Sequence, residues 1–201
     1  MAKVLREFIG LNYDKALVKE AKEKNLPIVL QGVLQRADAK NQNGRIYPRP
    51  ILEREITNYQ KAVAEGRAVG EADHPDQSVV SLKNVSHVVR EIGWNGDDVV
   101  GKVEILNTPS GQILKSLMES GIRLGISSRG VGEVRQDESG NDVVDESFVL
   151  ICFDVVSEPS THGAWLGESK NISIREVVSH LSKRDRVNRI VNEILNSTPE
   201  R

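Results

Sequence analysis

One cysteine in 201 residues rules out an intramolecular disulfide in this chain. That residue, Cys152, lies within the apolar run Phe148 to Phe153, where a thiol behaves as a small buried hydrophobe, so the chemistry is expected to tolerate a reducing compartment. Charge of one sign is also missing. With 27 basic and 29 acidic residues and a formal net charge of −2, the chain lacks the strong positive field that non-specific nucleic-acid binding needs, and no nucleic-acid partner is expected. No stretch approaches the length of a membrane span, and the start Met1-Ala2-Lys3-Val4-Leu5-Arg6-Glu7 leads into no apolar signal core. A soluble intracellular chain with no membrane partner is the expectation. Four scattered histidines and one cysteine are a poor start for a zinc site, which favours convergent His and Cys ligands, so neither metal nor cofactor is expected.

What is present suffices for one substantial core, since 38% of the residues are hydrophobic. Residues 1–26, rich in Lys, Glu and Ala, read as an N-terminal helical arm; residues 27–168 read as the main domain, and 169–201 as a C-terminal amphipathic helix. Within the main domain, Ile28 to Leu34 is a strand-like run, Asn43-Gly44 is a turn signal, and Pro50 opens a helix that Gly66 stops. Two Val- and Ile-rich runs, Val85 to Ile92 and Val99 to Ile105, predict a hairpin. Thr108-Pro109 caps a second helix, which ends at Gly121, and strands are expected over Ser128 to Val134 and Val143 to Val156. Strands interrupted by two helices predict an α+β fold, a mainly antiparallel sheet or barrel with helices packed outside it.

Three segments carry chemistry. In Gly70-Glu71-Ala72-Asp73-His74-Pro75 a histidine stands among acidic groups, a setting for a base at neutral pH, although a solvated loop histidine has the same sequence look. In Gly125-Ile126-Ser127-Ser128-Arg129-Gly130 the glycines are expected to let a substrate approach closely, and a serine there can be a nucleophile if a base comes within reach. In the segment from Phe153 to Gly163, alternation sets Asp154 on one face with Phe148, Leu150, Cys152 and Val156, where a carboxylate needs a partner.

These segments, with Asn43-Gly44-Arg45-Ile46-Tyr47 and in this order, resemble the prohead core proteases of T-even-like phages, from about Gln31 to Ala164. The family is similar in fold to the herpesvirus capsid maturation protease (assemblin), so the resemblance implies a β-barrel surrounded by helices and a serine endopeptidase. A Ser-x-Gly context for the nucleophile selects Ser128 over Ser127, and the Asp-His-Pro segment selects His74. For the third member the downstream region offers Asp154, Glu158 and His162; Asp154 is preferred because a carboxylate fixes the imidazole tautomer. Gly163, in the loop Thr161 to Ala164, and Arg129 are the candidates for holding the oxyanion or the substrate. The implied substrates are the scaffold, core and major capsid proteins of the prohead, cut after a glutamate in Ile-x-Glu or Leu-x-Glu, inside the assembling particle in the host cytoplasm. Leu5-Arg6-Glu7 and Ile174-Arg175-Glu176 match that pattern, so self-cleavage after Glu7 or Glu176 is an expectation, placed at the borders of the core. A homo-oligomer that forms as concentration rises inside the shell would provide a switch by mass action. The rival readings are a non-catalytic scaffold component and a metal-dependent hydrolase built on Glu71, Asp73, His74 or His87.

Overall fold

The structure, a computed structural model, describes residues 3–10, 15–24, 26–41, 43–75 and 77–157. Ten strands and three helices are formed among them. The first sheet holds β1 (Lys3–Gly10), β7 (Gly125–Gly132) and β10 (Val149–Val156), in the order β1-β7-β10 and antiparallel throughout. The second is the antiparallel order β2-β6-β5-β4, from β2 (Ile28–Arg36), β4 (Val69–Glu71), β5 (Val85–Asn95) and β6 (Asp98–Ile105). A small third sheet orders β3 (Arg45–Ile46), β9 (Asp142–Val144) and β8 (Val134–Gln136) as β3-β9-β8, its β3-β9 pair being parallel. The two larger sheets meet at one isolated bridge, Ala72 to Val155. The expected closed barrel is therefore corrected to separate sheets among the described residues, because no continuous ladder runs around them.

Local chemistry explains most of the elements. β5 and β6 are joined through Gly96 at φ +60, a left-handed conformation that glycine adopts without a Cβ penalty. α2 (Arg49–Ala64) starts with proline in its first turn and buries Leu52, Ile56, Tyr59 and Ala62 at helical spacing. α3 (Pro109–Glu119) is capped by Thr108, whose Oγ1 accepts the Gly111 N–H at 3.1 Å. The core collects Leu30, Leu34, Ile56, Val103, Ile126, Phe148, Phe153 and their neighbours between these elements. Among the described residues no helix is long and apolar enough to cross a membrane.

Three expectations need correction. Lys3–Gly10 is a strand rather than part of a helical arm, and among the described residues of that arm Lys15–Glu23 is helical (α1). Pairing along the edge of β7 satisfies the strand's backbone and overrides any local bias to helix. The expected strand over 143–156 is two strands, β9 and β10, separated by a turn in which Phe148 N–H donates to the Asp145 carbonyl at 3.1 Å. β7 also begins at Gly125, three residues before the expected start at Ser128. The predicted C-terminal helix over 169–201 lies outside the described residues.

Candidate active site

β7 and β10 pair so that Ser127 is opposite Asp154, Ser128 opposite Phe153, Arg129 opposite Cys152 and Gly130 opposite Leu150. Cross-strand partners share a face and successive residues alternate. Ser127, Arg129, Cys152 and Asp154 therefore project to one side, and Ser128, Gly130, Leu150 and Phe153 to the other. The register shifts between Leu150 and Cys152, so Ile151 is an extra residue that moves Leu150 off the face of Asp154. Strict alternation, which puts Leu150 and Asp154 together, fails at this bulge. Gly130 lies on the core side, where an added Cβ would fall 2.4 Å from the Phe148 ring. It makes room for packing rather than for a substrate.

β4 brings the histidine from the second sheet. Gly70 passes so close to β10 that a Cβ would lie 2.0 Å from the Phe153 carbonyl oxygen and 2.4 Å from His87 Nε2. Asp73 then takes φ +69, uncommon outside glycine, while its N–H donates to the Val155 carbonyl at 2.8 Å. Beyond this turn, His74 Nδ1 lies 2.9 Å from Asp154 Oδ2 and His74 Nε2 lies 2.6 Å from Ser127 Oγ. The imidazole retains 14% side-chain exposure, whereas Asp154 has none.

Asp154 is enclosed by donors. Oδ1 accepts the Glu71 N–H at 3.0 Å and an Arg129 Nη2 bond at 3.2 Å, and Arg129 Nε lies 2.8 Å from Oδ2. Burial pushes its carboxyl pKa up, but the hydrogen bonds from His74 and Glu71 and the charge of Arg129 outweigh burial and hold it below the ordinary carboxylate value. Asp154 is thus an anion at neutral pH. The neighbouring Cys152 thiol is pushed far up by burial and by Asp154, which suits an inert packing group and not a thiolate nucleophile. His87, fully buried, faces the Ser86 hydroxyl with Nδ1 and the Phe153 carbonyl with Nε2, each at 2.9 Å, and burial pushes its pKa down to about 4.

Of the residues singled out from sequence, His74 and Asp154 come together, but Ser128 does not join them. Its Oγ lies on the core face and accepts a bond from Gln35 Nε2 at 2.9 Å; Ser127 occupies the place next to the base. Adjacent strand residues point to opposite faces, so only one of the two serines can meet His74. Arg129 is buried at 0% exposure behind Asp154, with no free face for a substrate carbonyl. Glu7 lies within β1 and its backbone pairs with Ser128, so it is not at a border of the core. Glu158, His162, Gly163 and Glu176 lie outside the described residues. Sequence reasoning missed Gln35, and it weighed Glu71 as a metal ligand rather than as the buried partner of Arg129. A signal for the latter existed: Arg129 shares the face of Ser127 at a spacing of two and needs an anion there.

A hydroxyl, an imidazole and a buried carboxylate in one hydrogen-bonded line form the constellation of hydrolases that work by acyl transfer, and comparison with known proteins sets this chain among the proteases. The chain belongs to the prohead core protein serine protease family, which it matches over residues 13–177. It is 30% identical over 143 residues to the prohead core protein protease of Enterobacteria phage T4, covering 69% of this chain and 68% of that protein. The solved structure of the bacteriophage T4 capsid assembly protease matches with a TM-score of 0.67 at 23% identity, over 79% of this chain and 99% of that one. That likeness shows the mixed α+β fold. Family membership makes this a capsid maturation protease acting on proteins of the phage prohead.

Proposed function

We propose that this chain is a serine endopeptidase in which Ser127 is the nucleophile, His74 the general base and Asp154 the group that orients it. The observation that carries this reading is the line Ser127 Oγ, His74 Nε2 at 2.6 Å, His74 Nδ1, Asp154 Oδ2 at 2.9 Å. Serine is not nucleophilic at its own pKa and needs such a neighbour. His74 Nε2 takes the proton from Ser127 Oγ as the oxygen bonds to the scissile carbonyl carbon. The ionised Asp154 keeps Nδ1 protonated, leaving Nε2 free to accept, and stabilises the imidazolium. When the C–N bond breaks, the proton passes from Nε2 to the leaving amine. Water then attacks the acyl-enzyme with His74 again as base, releasing the carboxylate and restoring Ser127. Gly163 remains the proposed oxyanion donor, a group whose loss typically costs about 100- to 1,000-fold in rate.

The substrates in this reading are the scaffold, core and major capsid proteins, cut after glutamate, and the expected relation in fold to the herpesvirus maturation protease belongs to it as well. Self-cleavage after Glu176 would leave the described sheets whole, whereas a cut after Glu7 would sever a strand of the sheet that carries Ser127. Mass spectrometry of a time course with a matching scaffold protein tests the reading, with wild type beside Ser127→Ala and Ser128→Ala. Cleavage after glutamate that Ser127→Ala abolishes and Ser128→Ala retains is expected. Equal cleavage by wild type and Ser127→Ala would overturn the assignment, and no cleavage by any variant would favour a scaffold component.

A further inference from the structure

Behind the three groups of the line lies a charge cluster that acyl transfer does not itself consume. Arg129, Glu71 and Asp154 are each 0% exposed. Arg129 Nε approaches the same Asp154 oxygen, Oδ2, that faces His74 Nδ1, and Arg129 Nη2 reaches Glu71 Oε1 at 2.9 Å. Arg129 Nη1 donates to the Gln77 carbonyl at 2.7 Å, and Glu71 Oε1 also accepts the Ser81 N–H at 2.9 Å. Among the described residues, the titratable and charged groups linked to His74 directly or through Asp154 are thus Asp154 and Cys152 from β10, Arg129 from β7, Glu71 and Asp73 from the chain leading into it, His87 from β5 and Tyr59 from α2. Burying an arginine against two carboxylates is costly, and hydrophobic residues often stabilise such a position equally well. Stability alone is therefore a weak reason for this cluster.

Its charges can act on the imidazole. One guanidinium, which stays charged in proteins, and two carboxylates sum to −1, and in a dry interior such charges are weakly screened. We propose that Arg129 and Glu71 are positioning residues whose opposite charges, transmitted through Asp154, set the pH range over which His74 serves as the base. The proposal rests on the reading of Ser127, His74 and Asp154 as one catalytic unit. The signs follow directly. Removing the guanidinium leaves −2, favours the imidazolium and makes His74 hold its proton to higher pH. Removing the Glu71 charge leaves 0 and makes His74 release its proton at lower pH. Removing both restores −1.

The test is an NMR titration of the His74 ring in the full chain, identified by the signal that His74→Gln removes, beside the pH profile of kcat/KM on a scaffold protein. Arg129→Met is expected to move the His74 midpoint and the acid limb of the profile up by about one pH unit, Glu71→Gln to move them down by a similar amount, and the double variant to return close to wild type. If Arg129→Met does not fold, Glu71→Gln paired with Arg129→Lys decides, since lysine keeps the charge without the fork: a downward shift is expected for the first and little for the second. Shifts of the same sign in Arg129→Met and Glu71→Gln, or an unmoved midpoint in Glu71→Gln, would overturn the proposal. A purely structural role would lower activity without this dependence on sign. Failure of the serine-protease reading would appear instead as full cleavage by Ser127→Ala, with the ring titration still readable.

Discussion

Ser127 and Ser128 are neighbours on one strand and almost equally buried, at 2% and 1% exposure, yet one hydroxyl lies 2.6 Å from an imidazole and the other 2.9 Å from a carboxamide nitrogen. The contrast is between the two faces of β7. On one, Arg129, Asp154 and His74 surround Ser127 with charge and a proton acceptor. On the other, Ser128 shares the core side with Leu150 and Phe153, and its partner Gln35 offers an N–H and no basic site. The chemistry of a serine thus depends on what shares its face, and a step of one residue along a strand exchanges one environment for the other.

Substitutions on the two faces should separate sharply. Ser127→Ala is expected to reduce kcat by on the order of 10^6, the size of loss seen when a serine nucleophile is removed, as measured by timed proteolysis. Asp154→Asn, on the same face, should lower kcat by about 10^4 by allowing the wrong tautomer of His74. It should also destabilise the fold, since Arg129 loses a buried partner.

On β5, in the neighbouring sheet, His87 faces the backbone carbonyl of Phe153, beside Asp154. Its folded pKa, about 4, lies below the ordinary value of 6.5, so the unfolded chain takes up a proton where the folded chain does not. Its contribution to stability is present above pH 6.5 and is lost as pH falls towards 4, by at most about 3 kcal/mol. Urea unfolding from pH 7.5 to 4 should show this decline in wild type and a smaller one in His87→Gln. The carboxyl of Asp154, with its lowered pKa, adds a further loss below that window, as pH falls through its folded value.

The core face gives the smallest effects. Ser128→Ala should leave cleavage within a few-fold of wild type while lowering stability by about 1–3 kcal/mol, because the buried amide of Gln35 loses its acceptor. Adding Gln35→Leu should recover much of that loss, and the cycle of single and double variants measures the coupling. A rate collapse in Ser128→Ala with intact folding would erase the distinction between the faces.

Much of the frame was legible along the chain. The hairpin of β5 and β6, α2 with Pro50 in its first turn and α3 after its Thr108 cap follow from turn residues, caps and periodicity, all of which act over a few residues. The strand over Lys3–Gly10 was not legible, because its partner β7 lies more than a hundred residues away and supplies the pairing from outside. His74 and Asp154 stood out because a histidine among acids and a carboxylate in an apolar run each lack a structural reason. Ser127 and Glu71 did not, since nothing local distinguishes one serine of a pair, or one glutamate before a histidine.

Residue types, spacing and local punctuation thus indicated most of the elements, the resemblance to the family and two of the three groups in the proposed unit. Only the tertiary structure decided which serine lies beside His74 and that the Arg129 guanidinium sits buried between Asp154 and Glu71. The reason is phase and contact: the bulge at Ile151 and the left-handed turn at Asp73 change which way the following side chains face, and the close pass at Gly70 sets β4 against β10, a strand far away in the chain.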